Sequence, residues 1–265
     1  MKKFGIIGCG FLGNIVADAW KNGLLSDYTL LGVTSRSEEK RQKTADRTGC
    51  KALSSVDELL ELKPDILVET ASVEAVRDNA VKILGAGCDL AVISIGAFAD
   101  GELYDNAVKA AQNGNSRLYL ASGAVGGFDV LQTVSLMAQA QKLEEKAGIC
   151  THTGAKGFKN TPVWKDSLLT DSEKSRVFTG NAKQAIATFP RRVNVAVATS
   201  LATAGPQNTE VTMYSVPGWT GDDHKITAQI AGVKAVVDIE SGTSAIAGWS
   251  LVAMLRNITS PVCFY

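Results

Sequence analysis

The sequence predicts an α/β protein in two parts: a doubly wound parallel sheet, then a second α+β domain built on a mostly antiparallel sheet. Three observations predict it. Short apolar runs alternate with amphipathic helical stretches through the first half, and from about Lys146 the runs alternate polar with apolar residues instead. A glycine-rich turn joins the first apolar run to the first helix. Near-continuous apolar strands spaced by helices belong to a parallel sheet covered on both faces, whereas strict alternation belongs to a sheet with one wet face.

The elements follow in order. Lys3-Phe4-Gly5-Ile6-Ile7 reads as a strand and residues 14–21 as the helix after it. Residues 28–34 form a second strand, followed by a helix over 38–48. Asp65-Ile66-Leu67-Val68-Glu69 is a third strand, followed by a helix carrying Val73, Val76, Ala80, Ile83 and Leu84. Residues 90–94 and 117–120 supply two more strands, and right-handed crossovers wind the set into one sheet. In the second half, strands are expected at 149–153, 209–214, 225–230 and 235–239, with helices near 182–188 and 193–204. A final helix over 244–257 places Ala245, Trp249, Val252 and Leu255 on one face. The expected domains are residues 1–125, with 244–265 docking back on them, and residues 126–243 for substrate, catalysis and dimerisation.

Composition narrows the function. The 265 residues are 45% hydrophobic and 20% charged, which suits a globular chain with a large core. Lys plus Arg and Asp plus Glu both number 27, so the surplus of positive charge that nucleic acid or an anionic membrane demands is missing. A small molecule is the expected partner. Five scattered cysteines and two histidines match neither a disulfide framework nor a metal centre and point to reduced thiols in a cytoplasm. The apolar run before Cys9 is far shorter than the roughly 7–15 residues of an export signal. No segment approaches the ~20 apolar residues of a membrane span.

Gly8-Cys9-Gly10-Phe11-Leu12-Gly13 fits G-x-G-x-x-G directly after a strand and at the mouth of a helix. In that context Gly8 permits the tight turn, Gly10 lets a pyrophosphate approach the backbone, and Gly13 lets helix and strand pack closely. This is the fingerprint of a Rossmann-type dinucleotide site; a merely tight turn is the competing reading. About 20 residues on, an NAD site would carry Asp or Glu for the ribose 2′-hydroxyl. Here the strand ends Thr34-Ser35-Arg36-Ser37, without a carboxylate. Arg36 is placed to pair with a 2′-phosphate and Ser35 and Ser37 to hydrogen-bond it, so NADP is preferred over NAD. The competing reading makes Arg36 a solvated loop charge at a site open to both cofactors.

These motifs, with Glu69-Thr70-Ala71-Ser72-Val73-Glu74-Ala75-Val76, Ser94-Ile95-Gly96-Ala97-Phe98-Ala99-Asp100, Ser122-Gly123-Ala124-Val125-Gly126-Gly127-Phe128-Asp129, Phe189-Pro190-Arg191-Arg192-Val193-Asn194-Val195-Ala196 and His224-Lys225-Ile226, give a chain that resembles the L-aspartate dehydrogenase family along nearly its whole length. The resemblance implies cofactor contacts at Gly8, Gly10, Phe11, Leu12, Gly13, Ala71, Ser72, Gly96, Ala124 and Asn194. It assigns catalysis to His224. It further implies reversible oxidative deamination of L-aspartate or a close dicarboxylic amino acid, a homodimer, and a link to NAD biosynthesis through iminoaspartate.

Chemistry supports those assignments independently. A histidine titrates near neutrality and can move the proton that must accompany hydride transfer, and Asp222 or Asp223 could orient its ring. An exposed loop histidine at the start of a strand is the competing reading for His224, and His152 reads as structural. Small residues over 122–127 let backbone amides approach a ligand, with Ser122 a substrate candidate. A dicarboxylate needs cationic partners; Arg191, Arg192, Lys156 and Lys159 are the candidates. Three places depart from the family pattern: Arg191-Arg192 after Phe-Pro, Val216-Pro217-Gly218-Trp219 where Asp-Pro is expected, and Glu240-Ser241-Gly242-Thr243-Ser244 in place of Asn-Pro-x-Thr-Ser. The alternatives are a homoserine dehydrogenase-like or sugar oxidoreductase with another substrate, and an NADP-binding sensor without turnover. A sugar enzyme is disfavoured because Ile93-Ser94-Ile95-Gly96 lacks the Glu-Lys-Pro motif.

Overall fold

The computed structural model describes residues 1–190 and 193–264. Contacts divide them into two units, residues 1–123 with the segment from Ala245 onward, and residues 124–244.

The first unit runs β1 (Lys2–Ile7), α1 (Phe11–Lys21), β2 (Tyr28–Thr34), α2 (Glu38–Thr48), β3 (Lys51–Leu53), α3 (Val56–Glu61), β4 (Ile66–Glu69), α4 (Val73–Gly85), β5 (Asp89–Val92), α5 (Gly101–Gly114) and β6 (Leu118–Leu120). All six strands are parallel, in the order β3-β2-β1-β4-β5-β6. The order reverses between β1 and β4, and in open α/β sheets ligands bind beyond the carboxyl ends of the strands at such a switch point. Phe4, Ile6, Val33, Ile66, Val68 and Ala91 form the centre of the core. Helix starts are written locally: Ser37, Ser55 and Ser72 accept from the backbone N–H groups of Lys40, Glu58 and Ala75, and Asp100 accepts from Glu102 and Leu103.

The last helix, α9 (Ala245–Thr259), belongs to this unit. Its buried residues are Gly248, Leu251, Val252 and Leu255, and the Tyr28 hydroxyl donates to the Leu255 carbonyl at 2.8 Å. The expected face is therefore corrected at Trp249, which is 47% exposed. Gly248 sets this rotation, because its bare Cα lies against Ile15 of α1 and brings the two helices close.

The second unit runs α6 (Phe128–Gln141), β7 (Lys146–Gly154), β8 (Ser175–Asn181), α7 (Ala182–Thr188), α8 (Asn194–Ala202), β9 (Thr209–Val216), β10 (Asp222–Ile230) and β11 (Val233–Ser241). The sheet order is β11-β10-β7-β9-β8; β7 and β9 pair in parallel and the other three pairs are antiparallel. Burial alternates along β9 and β10, as a sheet with one covered face requires. Ile149, Val211, Met213, Ile226 and Ala228 from the strands meet Leu131, Val134, Ala185 and Ala196 from the helices. Five cysteines are free, and no helix among the described residues is long and apolar enough to cross a membrane.

Candidate active site

The glycine turn is shaped by what surrounds it. Gly8 takes φ +107°, and a Cβ there would stand 2.8 Å from the Thr70 and Ala71 backbone. Its N–H donates to the Thr34 carbonyl at 2.8 Å, and its carbonyl accepts from the Thr70 hydroxyl at 2.8 Å. A side chain at Gly13 would run into the Gly8 carbonyl, while one at Gly10 would meet nothing within 4 Å. Two glycines are thus required by packing, and the third opens onto free space where a pyrophosphate can lie. The first turn of α1 has neither a capping side chain nor an acidic residue, leaving its N–H groups for an anion. Phe11 is 60% exposed at that turn, and Leu12 packs on the core.

The other predicted cofactor residues of this unit follow β2, β4 and β5 at the same edge of the sheet. Ser35 and Arg36 follow β2, and Arg36 is exposed without a hydrogen bond or ion pair among the described residues. Ser37 is occupied as the cap of α2. Arg41, which sequence reading passed over, donates from Nη1 to the Ser35 carbonyl at 3.2 Å. Ala71 and Ser72 form the β4–α4 turn, and Gly96 lies in a buried 3-10 turn, Ile95–Ala99. Ser122 is half-buried just before the boundary between the units.

In the second unit, Ala124 leads into Gly127, whose φ is +68° and whose Cα faces Val237. Asn194 opens α8, half-buried and bonded. His224 is 6% exposed and lies inside β10, which corrects the reading of an exposed loop residue. Its Nδ1 bonds the Thr151 hydroxyl at 2.9 Å. Burial pushes the imidazole pKa down from the ordinary 6.5, and Asp222 and Asp223 offset this only in part.

Asp223 does not orient His224. Its carboxylate instead holds His152 Nδ1 at 3.0 Å, and the His152 ring stacks on Tyr214 with centroids 5.1 Å apart. Neighbours along a strand face opposite sides, so His224 pairs across with Thr151 and Asp223 with His152. Lys156 and Lys159 are exposed around the 3-10 turn Ala155–Phe158. Arg191 and Arg192 lie outside the described residues. Among the described residues, no group of three or more His, Cys, Asp or Glu could hold a metal ion.

The comparisons with known proteins settle the family. Residues 133–258 match the family described as "Aspartate dehydrogenase, C-terminal", and residues 8–121 match "Homoserine dehydrogenase, NAD binding domain". The L-aspartate dehydrogenase of Methanococcus maripaludis (strain C5) is 32% identical over 271 residues, spanning 99% of this chain and 98% of its own. The chain belongs to the L-aspartate dehydrogenase family. The Methanocaldococcus jannaschii member is 30% identical over 276 residues, with the same coverage. The crystal structure of aspartate dehydrogenase from Thermotoga maritima shares the fold at TM-score 0.81, covering 100% of both chains at 24% identity. The chain is an oxidoreductase of NAD(P) type, with its dinucleotide domain in the first unit.

Proposed function

We propose that the chain oxidises L-aspartate with NAD(P), releasing oxaloacetate and ammonia through the imino acid, and runs the reverse amination. The observation that carries this is full-length identity of 32% to an L-aspartate dehydrogenase, joined to a buried histidine held by one hydroxyl.

The residues divide the work. Gly8, Gly10, Phe11, Leu12 and Gly13 with the N-terminus of α1 hold the pyrophosphate, and Ala71, Ser72, Gly96, Ala124 and Asn194 hold the rest of the cofactor. The nicotinamide supplies the chemistry of accepting or returning hydride. In the tautomer whose Nδ1–H donates to the Thr151 hydroxyl, Nε2 of His224 carries the lone pair and takes the proton released as the amine becomes an imine. Once that proton has passed to solvent, the neutral ring accepts a second proton at the same nitrogen, from the water that attacks the imine carbon. A neutral ring serves as the base, and the lowered pKa keeps it neutral at physiological pH. Ser122, Arg191 and Arg192 are the candidates for gripping the two carboxylates.

NADP is the preferred cofactor in this reading, because β2 ends without a carboxylate and Arg36 stands exposed beside Ser35. Fluorescence titration tests it: NADPH should bind more tightly than NADH, and the reverse order would overturn the preference. The family also implies a cytoplasmic homodimer that supplies iminoaspartate to NAD biosynthesis. Light scattering should return twice the 27.9 kDa chain mass.

A further inference from the structure

Glu69 ends β4 and is 1% exposed, yet none of the chemistry above uses it. Its Oε1 accepts from Ala71 N–H at 2.7 Å, Ser72 N–H at 2.8 Å and the Ser94 hydroxyl at 3.0 Å. Its Oε2 accepts from Ser94 N–H at 3.1 Å. We infer that Glu69 is a positioning residue for the nicotinamide cofactor, tying the β4–α4 turn that carries Ala71 and Ser72 to the turn after β5 that carries Gly96. The inference rests on the proposed reading of those turns as cofactor contacts.

Two features separate this role from simple support of the sheet. Strand pairing already holds β4 between β1 and β5 and stops at Glu69, opposite Ile7 and Val92. The Glu69 side chain therefore acts beyond the ladder, on loop N–H groups that no strand or helix claims. The adjacent Thr70 hydroxyl bonds the Gly8 carbonyl. Residues 69 and 70 thus lock three ligand-bearing turns from one point, the preorganisation that lets binding avoid the cost of ordering loops. Burial pushes the Glu69 carboxyl up, against the downward pull of its four hydrogen bonds. A carboxylate so placed costs free energy that ordinary packing would avoid, which argues for a purpose.

Glu69→Gln keeps the shape but turns an amide NH2 toward backbone N–H donors. NADPH and NADH dissociation constants should both rise by about tenfold in fluorescence titration, with their ratio unchanged. The KM for cofactor should rise alongside, while kcat at saturating cofactor and the KM for L-aspartate change far less. A folded variant whose two dissociation constants stay within about twofold of the parent overturns the role. So does a fall in kcat and thermal midpoint without any loss of cofactor affinity. If Glu69→Gln fails to fold, Ser94→Ala removes one donor only, and both dissociation constants should rise by about two- to threefold; unchanged values there overturn the role equally. A parent protein that binds neither nucleotide would defeat the proposed function and this inference with it.

Discussion

His224 has one nitrogen bonded to Thr151 and the other without a partner among the described residues, so the proposed proton transfer has a single outlet. His224→Ala should cut kcat by about 100-fold or more, the usual worth of a positioned acid–base group, with NADPH affinity unchanged. Thr151→Val should cost several-fold in kcat/KM, and Thr151→Ser should restore it. The acid limb of kcat/KM should fall below 6.5, because burial disfavours the charged ring. The same sign governs stability: unfolded histidine binds its proton at a higher pH than the folded ring, so stability is lost as pH falls through that window. Arg36→Ala should weaken NADPH by about tenfold and leave NADH nearly untouched, in paired titrations. At this scale the sequence showed the histidine and the glycines but not their partners. Thr151 is an ordinary strand residue until the β7–β10 register sets it opposite His224. Asp223, beside His224 in sequence, points away from it by the alternation of a strand. Glu69 reads as the end of an apolar run until the fold wraps two turns around it.

Elements with a clear period were the legible ones, though α5, at 14 residues, was implied only by the spacing between its flanking strands. The strands at 28–34 and the helices at 38–48 and 182–188 fall where the pattern put them. β3 has three residues and α3 six, too few for either period to register. β8 went unseen because its alternation is broken at an irregularity between Arg176 and Phe178. Its end is marked only by the capping box of Asn181 and Gln184. In α9 the apolar positions were visible, but the face was turned by Gly248, whose close approach to Ile15 no hydropathy pattern encodes. Leu251 is fully buried where α9 meets the core, so Leu251→Ala should cost about 2–5 kcal/mol in denaturant unfolding. Gly13→Ala should abolish cofactor binding in titration, because its Cβ has no room beside the Gly8 carbonyl.

On the scale of the whole molecule, the change from apolar runs to alternating ones carried the architecture. It marks the passage from a parallel sheet to a mixed one, each with its own core. The single parallel pair in the second sheet, β7 with β9, escaped that pattern, since pairing direction depends on connections rather than on residue alternation. Function at this scale rests on the joining of a dinucleotide domain to a family-specific second domain in one chain. The most direct measurement is NADPH oxidation with oxaloacetate plus ammonium, set beside 2-oxo acids that lack the second carboxylate. Oxaloacetate should give the highest kcat/KM, and the rate should vanish without ammonium. Tight NADPH binding with no turnover on any of these acids, or a preference for a monocarboxylic one, would contradict the account.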